Sequence, residues 1–300
     1  MKVKLFIALI LGIFISNAMY AQESDRYHPA PRHPKIENFR FPTLPPPVNQ
    51  NQSLLAINQV DFNLTLRDNV LLDCSKFYPQ VPNPYLPNGY PIVVMCHGYG
   101  DRKETLQNFA IAQAQYGYVV YTYSMRGQGH SGGQSNLISD IEADDIIELV
   151  NFIRQDTIVH GDTSKILIMG GSQGGLIPIK ASIRGMKVNS IISALSSPLF
   201  ASNWIENGCI KMTLLWSLSY PLDSVRYNAL TTKINGWIYN TGTKNYAWDS
   251  IAKNMPIGRD YMNNVSQIQS PLLIENSWQD YFFSPVGNIN AIPLLQVKNM

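Results

Sequence analysis

Lys165-Ile-Leu-Ile-Met-Gly-Gly-Ser-Gln-Gly-Gly175 is the stretch on which the reading of this 300-residue chain turns. Ile166 to Met169 is a short apolar run, which reads as a buried strand. It enters Gly170-Gly171-Ser172-Gln173-Gly174, a G-x-S-x-G pattern, and a helix-compatible segment follows over Leu176 to Ile183. Strand, sharp turn and helix around such a serine form the setting of a nucleophile elbow. A turn that tight needs small neighbours and holds the serine in a strained backbone conformation, with its hydroxyl above the sheet edge. The Gln173 amide then lies at the helix N-terminus, where it can face a developing oxyanion. The bare pattern arises by chance about once in ten chains of this length. An inert serine in a glycine-rich turn is therefore the competing reading, and the surrounding motifs decide between the two. Pro178 falls early in the helix and cannot donate to the carbonyl four residues back, so a kink or shifted first turn is predicted.

Outward from the elbow the same rhythm repeats. Pro91 to Cys96 is a buried strand ending in His97-Gly98-Tyr99-Gly100, and Glu104 to Tyr116 is helical. Tyr118 to Tyr123 is the next strand, ending in Arg126-Gly-Gln-Gly-His-Ser131. Ser139-Asp-Ile-Glu142 is a capping-box sequence, and the helix it opens places Ile146, Leu149, Val150 and Ile153 at helical spacing. Beyond the elbow, Ser190 to Leu195 and Pro271 to Glu275 are further strands, the second leading to Asn276-Ser-Trp-Gln-Asp280-Tyr-Phe-Phe283. Upstream, Val60 to Arg67 and Val70 to Phe77 flank the Asp68-Asn69 turn as an antiparallel hairpin. Strands alternating with helices after an opening hairpin predict a mostly parallel α/β sheet.

Residues 201–268 break this rhythm. They hold Trp204, Trp216, Trp237 and Trp248, four of the five tryptophans, with Tyr220, Tyr239 and Tyr246. They read as a mostly helical insertion that caps the site, with Trp204 and Trp216 toward substrate. A helical subdomain with an aromatic core has the same composition. The core is then 56–200, resuming at 269–300.

The N-terminus has Lys2 and Lys4, an apolar run from Leu5 to Ile15, and small residues at Ser16, Ala18 and Ala21. That order predicts a signal peptide over 1–21 and export, the apolar run being shorter than the roughly 17 residues a membrane span requires. Residues 22–55 are proline-rich (Pro29, Pro31, Pro34, Pro42, Pro45, Pro46, Pro47) and read as an extended arm. Without Lys2 and Lys4 the chain carries 21 basic and 21 acidic side chains and no basic run. Nothing points to nucleic acid or to an anionic membrane surface as partner, or to a metal or cofactor. Of the three cysteines, Cys74 and Cys96 fall in strands and are expected to be buried and unpaired.

The hairpin "LTLRDNVLLDCSKFYP", the His97-Gly98 pair, the elbow and "PLLIENSWQDYFF" agree in order and spacing. Over residues 58–290 the chain resembles the α/β-hydrolase superfamily, and within it the X-Pro dipeptidyl-peptidase-like group with its cocaine-esterase-type acyl hydrolases. The resemblance implies Ser172 as nucleophile, the Gln173 and Tyr99 amides as oxyanion donors, and Asp280 as triad acid. Asp280 also fits a turn aspartate capping the next helix. The resemblance makes His97 structural, beneath the oxyanion loop, with Gly98, Gly170, Gly174 and Arg126 in support. In the family the order is serine, acid, histidine, and no histidine follows Asp280 here. The expectation is accordingly of a chain that lacks its C-terminal strand and histidine loop, and the jelly-roll domain of many X-Pro relatives, and is poorly active. The implied activity is that of an exported serine hydrolase acting on a small ester or peptide. A non-catalytic ligand-binding protein of the same fold is the alternative. Glu206 is a candidate for binding a substrate ammonium, but a solvated surface glutamate is the better reading of it.

Overall fold

The computed structural model describes residues 54–206, 209–210, 225–229, 232, 253–280 and 282–295. The predicted signal peptide, the arm up to residue 53, and most of the cap, including Trp216, Trp237 and Trp248, lie outside the described residues.

Seven strands form one sheet. β1 (Ile57–Thr65) and β2 (Leu71–Pro79) are the opening hairpin, closed at Thr65 and Leu71. Asn69 sits in its turn at φ 61°, a left-handed conformation that asparagine tolerates. β3 (Tyr90–Cys96), β4 (Val119–Tyr123), β5 (Gly161–Gly171), β6 (Ser190–Ala194) and β9 (Leu272–Glu275) complete it in the order β1-β2-β4-β3-β5-β6-β9. Only β1 and β2 run antiparallel to their neighbours; β4, β3, β5, β6 and β9 are mutually parallel. Parallel strands covered on both faces read as unbroken apolar runs, and Ile92 to Cys96 are all buried accordingly. β7 (Ile205–Glu206) and β8 (Cys209–Ile210) make a separate antiparallel pair.

The helices are α1 (Gln107–Gln115), α2 (Asp140–Ile153), α3 (Gln173–Ile183), α4 (Phe200–Trp204) and α5 (Pro285–Ala291). The predicted helix from Glu104 begins instead as a 3-10 turn over Lys103–Leu106. The capping box at α2 is formed: Ile141 N–H donates to Ser139 Oγ (3.2 Å) and Ser139 N–H to Glu142 Oε2 (2.9 Å). The face spaced for burial, Ile146, Leu149, Val150 and Ile153, is fully buried. α3 runs continuously through Pro178, whose missing amide falls opposite the Gly174 carbonyl in the opening turns. No helix among the described residues is long and apolar enough to cross a membrane.

Cys74 and Cys96 are free and buried. Both are register partners of Tyr123, from opposite sides of β4. They therefore lie two strand spacings apart, about 9–10 Å, too far for a disulfide. Burial pushes the Cys96 thiol up to about 12, which removes it as a nucleophile.

Candidate active site

The site is built where β5 turns into α3. Ser172 has φ 54° and ψ −124°, positive φ at a non-glycine residue, held just before the first turn of α3. Such a conformation costs roughly 1–3 kcal/mol and persists only where its surroundings enforce it. Here Ser172 N–H donates to the Ala194 carbonyl at the end of β6 (2.9 Å), and its own carbonyl accepts from Gly175 (2.9 Å) and Leu176 (3.0 Å). The flanking glycines allow the turn to seat against β3. A Cβ on Gly170 would stand 2.5 Å from the Cys96 carbonyl oxygen, and one on Gly174 2.3 Å from the same oxygen. Gly170 and Gly174 were expected in this role. Gly175 was not: a Cβ there would meet Ser193 Oγ at 2.7 Å.

Two segments meet at this corner. Gln173 is the first residue of α3, so its N–H has no intrahelical partner. Cys96 pairs with Gly170, so His97-Gly98-Tyr99 leaves the sheet beside the elbow. Neither the Gln173 nor the Tyr99 amide donates to a described residue. Both amides thus belong to segments that meet at the end of β3 and β5.

His97 supports this corner from below. It is 1% exposed; Met125 N–H donates to its Nε2 (2.8 Å), and its Nδ1 lies 2.7 Å from the Gly98 carbonyl. An acceptor Nε2 fixes the neutral tautomer with the proton on Nδ1. Burial pushes the imidazole pKa below its usual value, the Gly98 contact opposing. With both nitrogens engaged His97 ties the end of β3 to the end of β4 and is no general base. A folded pKa depressed below about 6.5 means that the unfolded chain takes up the proton first. The His97 contribution to stability is thus fully present above about pH 6.5 and declines below it until the folded pKa is passed, with a slope of up to about 1.4 kcal/mol per pH unit. Urea unfolding between pH 7.5 and 5 should show a shallower acid loss in His97→Gln than in the parent. Parallel curves would show that His97 does not carry this dependence.

The Tyr99 side chain reaches a residue that sequence reading missed. Its hydroxyl is hydrogen-bonded to that of Tyr227, and the rings stack at 6.3 Å. Tyr227 belongs to a segment laced to the turn after β4. Arg226 N–H donates to Gly127 O (2.8 Å), Ser135 N–H to Arg226 O (2.6 Å) and Asn228 N–H to Ser135 O (3.0 Å). That turn is anchored by Arg126, which grips Asp145 with Nε and Nη2 (both 2.7 Å) and Asp68 with Nη1 (2.6 Å). Arg126 thus holds this turn against α2 and the opening hairpin.

Asp280 follows β9. Its Oδ1 accepts from Phe282 N–H (2.8 Å) and Phe283 N–H (3.0 Å), so the carboxylate closes its own turn, while the N-cap residue of the next helix is Ser284. The same bonds fix its orientation, as a triad acid would need. The loop is tied to the end of β6, because Asn276 Nδ2 donates to Ser196 O (3.0 Å) and Asn288 Nδ2 to the same oxygen (2.6 Å). Asp280 and Ser172 therefore leave the same end of the sheet.

Trp204, expected toward substrate, is instead packed into the fold. It is 3% exposed against Phe200 and Phe283, with its indole N–H on Phe282 O (2.8 Å). The Trp204 ring thus belongs to an aromatic core cluster with Phe200 and Phe283, its N–H satisfied as a buried indole requires. Trp216 and the Glu206 side chain lie outside the described residues. His160 precedes β5 and Ser172 follows it, so the length of the strand, roughly 20 Å alongside Tyr90–Cys96, separates them. His130 is exposed in the turn after β4. Among the described residues no three His, Cys, Asp or Glu side chains gather as metal ligands.

The profile of the family described as serine aminopeptidase, S33, matches residues 89–255, more than half of the sequence. The chain belongs to the serine aminopeptidase S33 family. Among relatives of this S33-family chain, an uncharacterized 31.7 kDa protein of Escherichia coli, from the traX-finO intergenic region, is 30% identical over 109 residues. That match covers 36% of this chain and 37% of the relative. The 20-hydroxy-prefusarin hydrolase FUS2 of Gibberella moniliformis is 22% identical over 240 residues, covering 74% of this chain and 55% of its own. This chain thus spans between about a third and about half the length of those curated relatives. An acetyl xylan esterase from Paenibacillus sp. R4 superposes with a TM-score of 0.56 at 18% identity, covering 82% of this chain and 77% of that one. An esterase of Pyrococcus furiosus superposes at 0.52 and 16% identity, covering 78% and 77%. These likenesses establish the α/β-hydrolase fold. Family and fold together make this a hydrolase-fold protein of an esterase- and peptidase-like family.

Proposed function

We propose that this chain is an exported serine hydrolase that cleaves esters or peptides through an acyl-enzyme on Ser172. One observation carries the reading: Ser172 is held at φ 54° between glycines that tolerate no Cβ, beside two amides that donate to no described residue. Backbone strain of this kind persists only where the surroundings enforce it, and it gathers at functional sites. In the proposed step Ser172 Oγ attacks the substrate carbonyl, its proton passes to a general base, and the carbonyl oxygen takes up charge between the Gln173 and Tyr99 amides. Collapse of that adduct expels the alcohol or amine and leaves the acyl group on Ser172, for water to remove. Asp280 is the acid proposed to orient the base.

An ester and a peptide bond use this machinery alike, so the substrate class stays with both. A preference for X-Pro peptides rests on the sequence resemblance, and export on the Lys2 to Ala21 pattern. A second reading has its own support. None of the described histidines is placed as base: His97 has both nitrogens engaged, His160 is at the far end of β5, and His130 is exposed. A non-catalytic protein binding a small ester or peptide would have this pattern, as would an enzyme whose base comes from outside the described residues. Treatment of the full chain with a fluorophosphonate, followed by peptide mapping, separates them. A single adduct on Ser172, lost in Ser172→Ala, is expected, together with turnover of one member of a panel of nitrophenyl esters and aminoacyl or X-Pro nitroanilides. A chain that takes up no phosphonate supports the ligand-binding reading.

A further inference from the structure

We infer that Gln128, which touches neither Ser172 nor any triad position, sets the spacing of the oxyanion hole; the inference rests on the reading of Ser172 as nucleophile. The turn after β4 holds the Gln128 backbone. Gln128 N–H donates to Met125 O (2.9 Å), and its carbonyl accepts from Ser131 N–H (3.1 Å). Gly127 at φ 74° and Gly129 at φ 52° flank it in conformations that glycine adopts without strain. The Arg126 anchor lies two residues before Gln128 and Val225 bridges to it on the other side.

Its side chain is fully buried and spans the two arms of the site. Gln128 Oε1 accepts from Gly100 N–H (2.8 Å), one residue beyond Tyr99. Gln128 Nε2 donates to Gln173 Oε1 (3.2 Å), in the residue after the nucleophile. The polarity of this chain is forced. A backbone N–H at Gly100 requires the oxygen of Gln128 on that side. The nitrogen therefore faces Gln173, which must answer with its own oxygen. Gln173 Nε2 is then left buried with no partner among the described residues. One amide thus joins the loop that carries the Tyr99 N–H to the helix end that carries the Gln173 N–H. Gln128 is a positioning residue: without it each donor keeps its backbone, and their separation is no longer fixed. Donors displaced by about 1 Å from a developing oxyanion lose on the order of 10²-fold in rate.

The test uses two variants of the full chain, with turnover of a nitrophenyl ester and the rate of Ser172 phosphonylation as readouts, each normalised to folded protein by circular dichroism. Gln128→Met keeps the volume and removes both hydrogen bonds. It should lower kcat and the phosphonylation rate about 10–100-fold, with KM within about two-fold of the parent. Gln128→Glu gives a signature that packing alone would not. When protonated, its acid presents C=O to Gly100 and O–H to Gln173, as the amide does. When ionised, it cannot donate to Gln173 and sets a negative charge beside the forming oxyanion. The ratio of variant to parent kcat should therefore rise as pH falls. That ratio also decides the matter if Gln128→Met does not fold. A Gln128→Met enzyme with parental kcat, or a Gln128→Glu ratio flat in pH, overturns the inference while Ser172→Ala remains inactive. Turnover surviving in Ser172→Ala, or a parent inert to both ester and phosphonate, overturns the nucleophile reading and the Gln128 inference with it.

Discussion

Ser172→Ala is expected to lower kcat for any substrate of this protein by roughly 10⁴–10⁶-fold while leaving KM nearly unchanged. The size follows from the chemistry. Without Oγ no acyl-enzyme forms, and only the oxyanion amides and substrate binding remain to accelerate attack by water. The fold should survive the change, because the contacts that hold residue 172 are made by its backbone, to Ala194, Gly175 and Leu176. A companion, Ser172→Gly, separates catalysis from strain. Alanine at φ 54° keeps the left-handed penalty of serine, and glycine does not. Ser172→Gly should thus be as inactive as Ser172→Ala but more stable in urea, by about 1 kcal/mol. An inactive glycine variant no more stable than the alanine variant would show that the elbow stores no strain. An active alanine variant would remove Ser172 from the reaction.

What could be read in the sequence was what local geometry determines. The elbow, the hairpin at Asn69 and the capping box of Ser139 and Glu142 each involve residues within a few positions of one another, and each formed as read. Gly170 and Gly174 were legible because a strand entering a helix through a serine leaves no room for a Cβ. Contacts that join distant residues were not legible. Gln128 meets Gln173 across 45 positions, and Tyr99 meets Tyr227 across 128; no local pattern marks either partner. Trp204 was misread for a different reason. A tryptophan among aromatics has the same sequence signature in a core and in a cap, and only its neighbours Phe200 and Phe283 tell them apart. Asp280 was read either as a triad acid or as a cap on the next helix; its carboxylate instead accepts from Phe282 and Phe283 in its own turn, and the N-cap residue of the helix that follows is Ser284.

Arg126→Met is expected to destabilise the fold by about 3–5 kcal/mol, because it leaves a carboxylate buried without its main partner. The Asp145 side chain is 2% exposed and is held by two Arg126 nitrogens at 2.7 Å. Burial works against the Arg126 charge, but the hydrogen bonds it donates to Asp145 and Asp68 outweigh it and hold the guanidinium protonated. Arg67 also reaches Asp145 at 3.1 Å, but from a position 39% exposed, where water weakens the attraction. The loss is therefore expected near the lower end of that range. The paired replacement Arg126→Met with Asp145→Leu should recover most of it, since no buried charge is then left. Urea midpoints for the parent, both single variants and the pair form a cycle whose coupling measures the bond. If the pair were no more stable than Arg126→Met, packing around the guanidinium stem would be the source of the loss. Activity should not recover with stability. Arg126 fixes the turn that presents Gln128 to Gly100 and Gln173, so the paired variant regains a fold whose oxyanion corner is no longer held at its spacing.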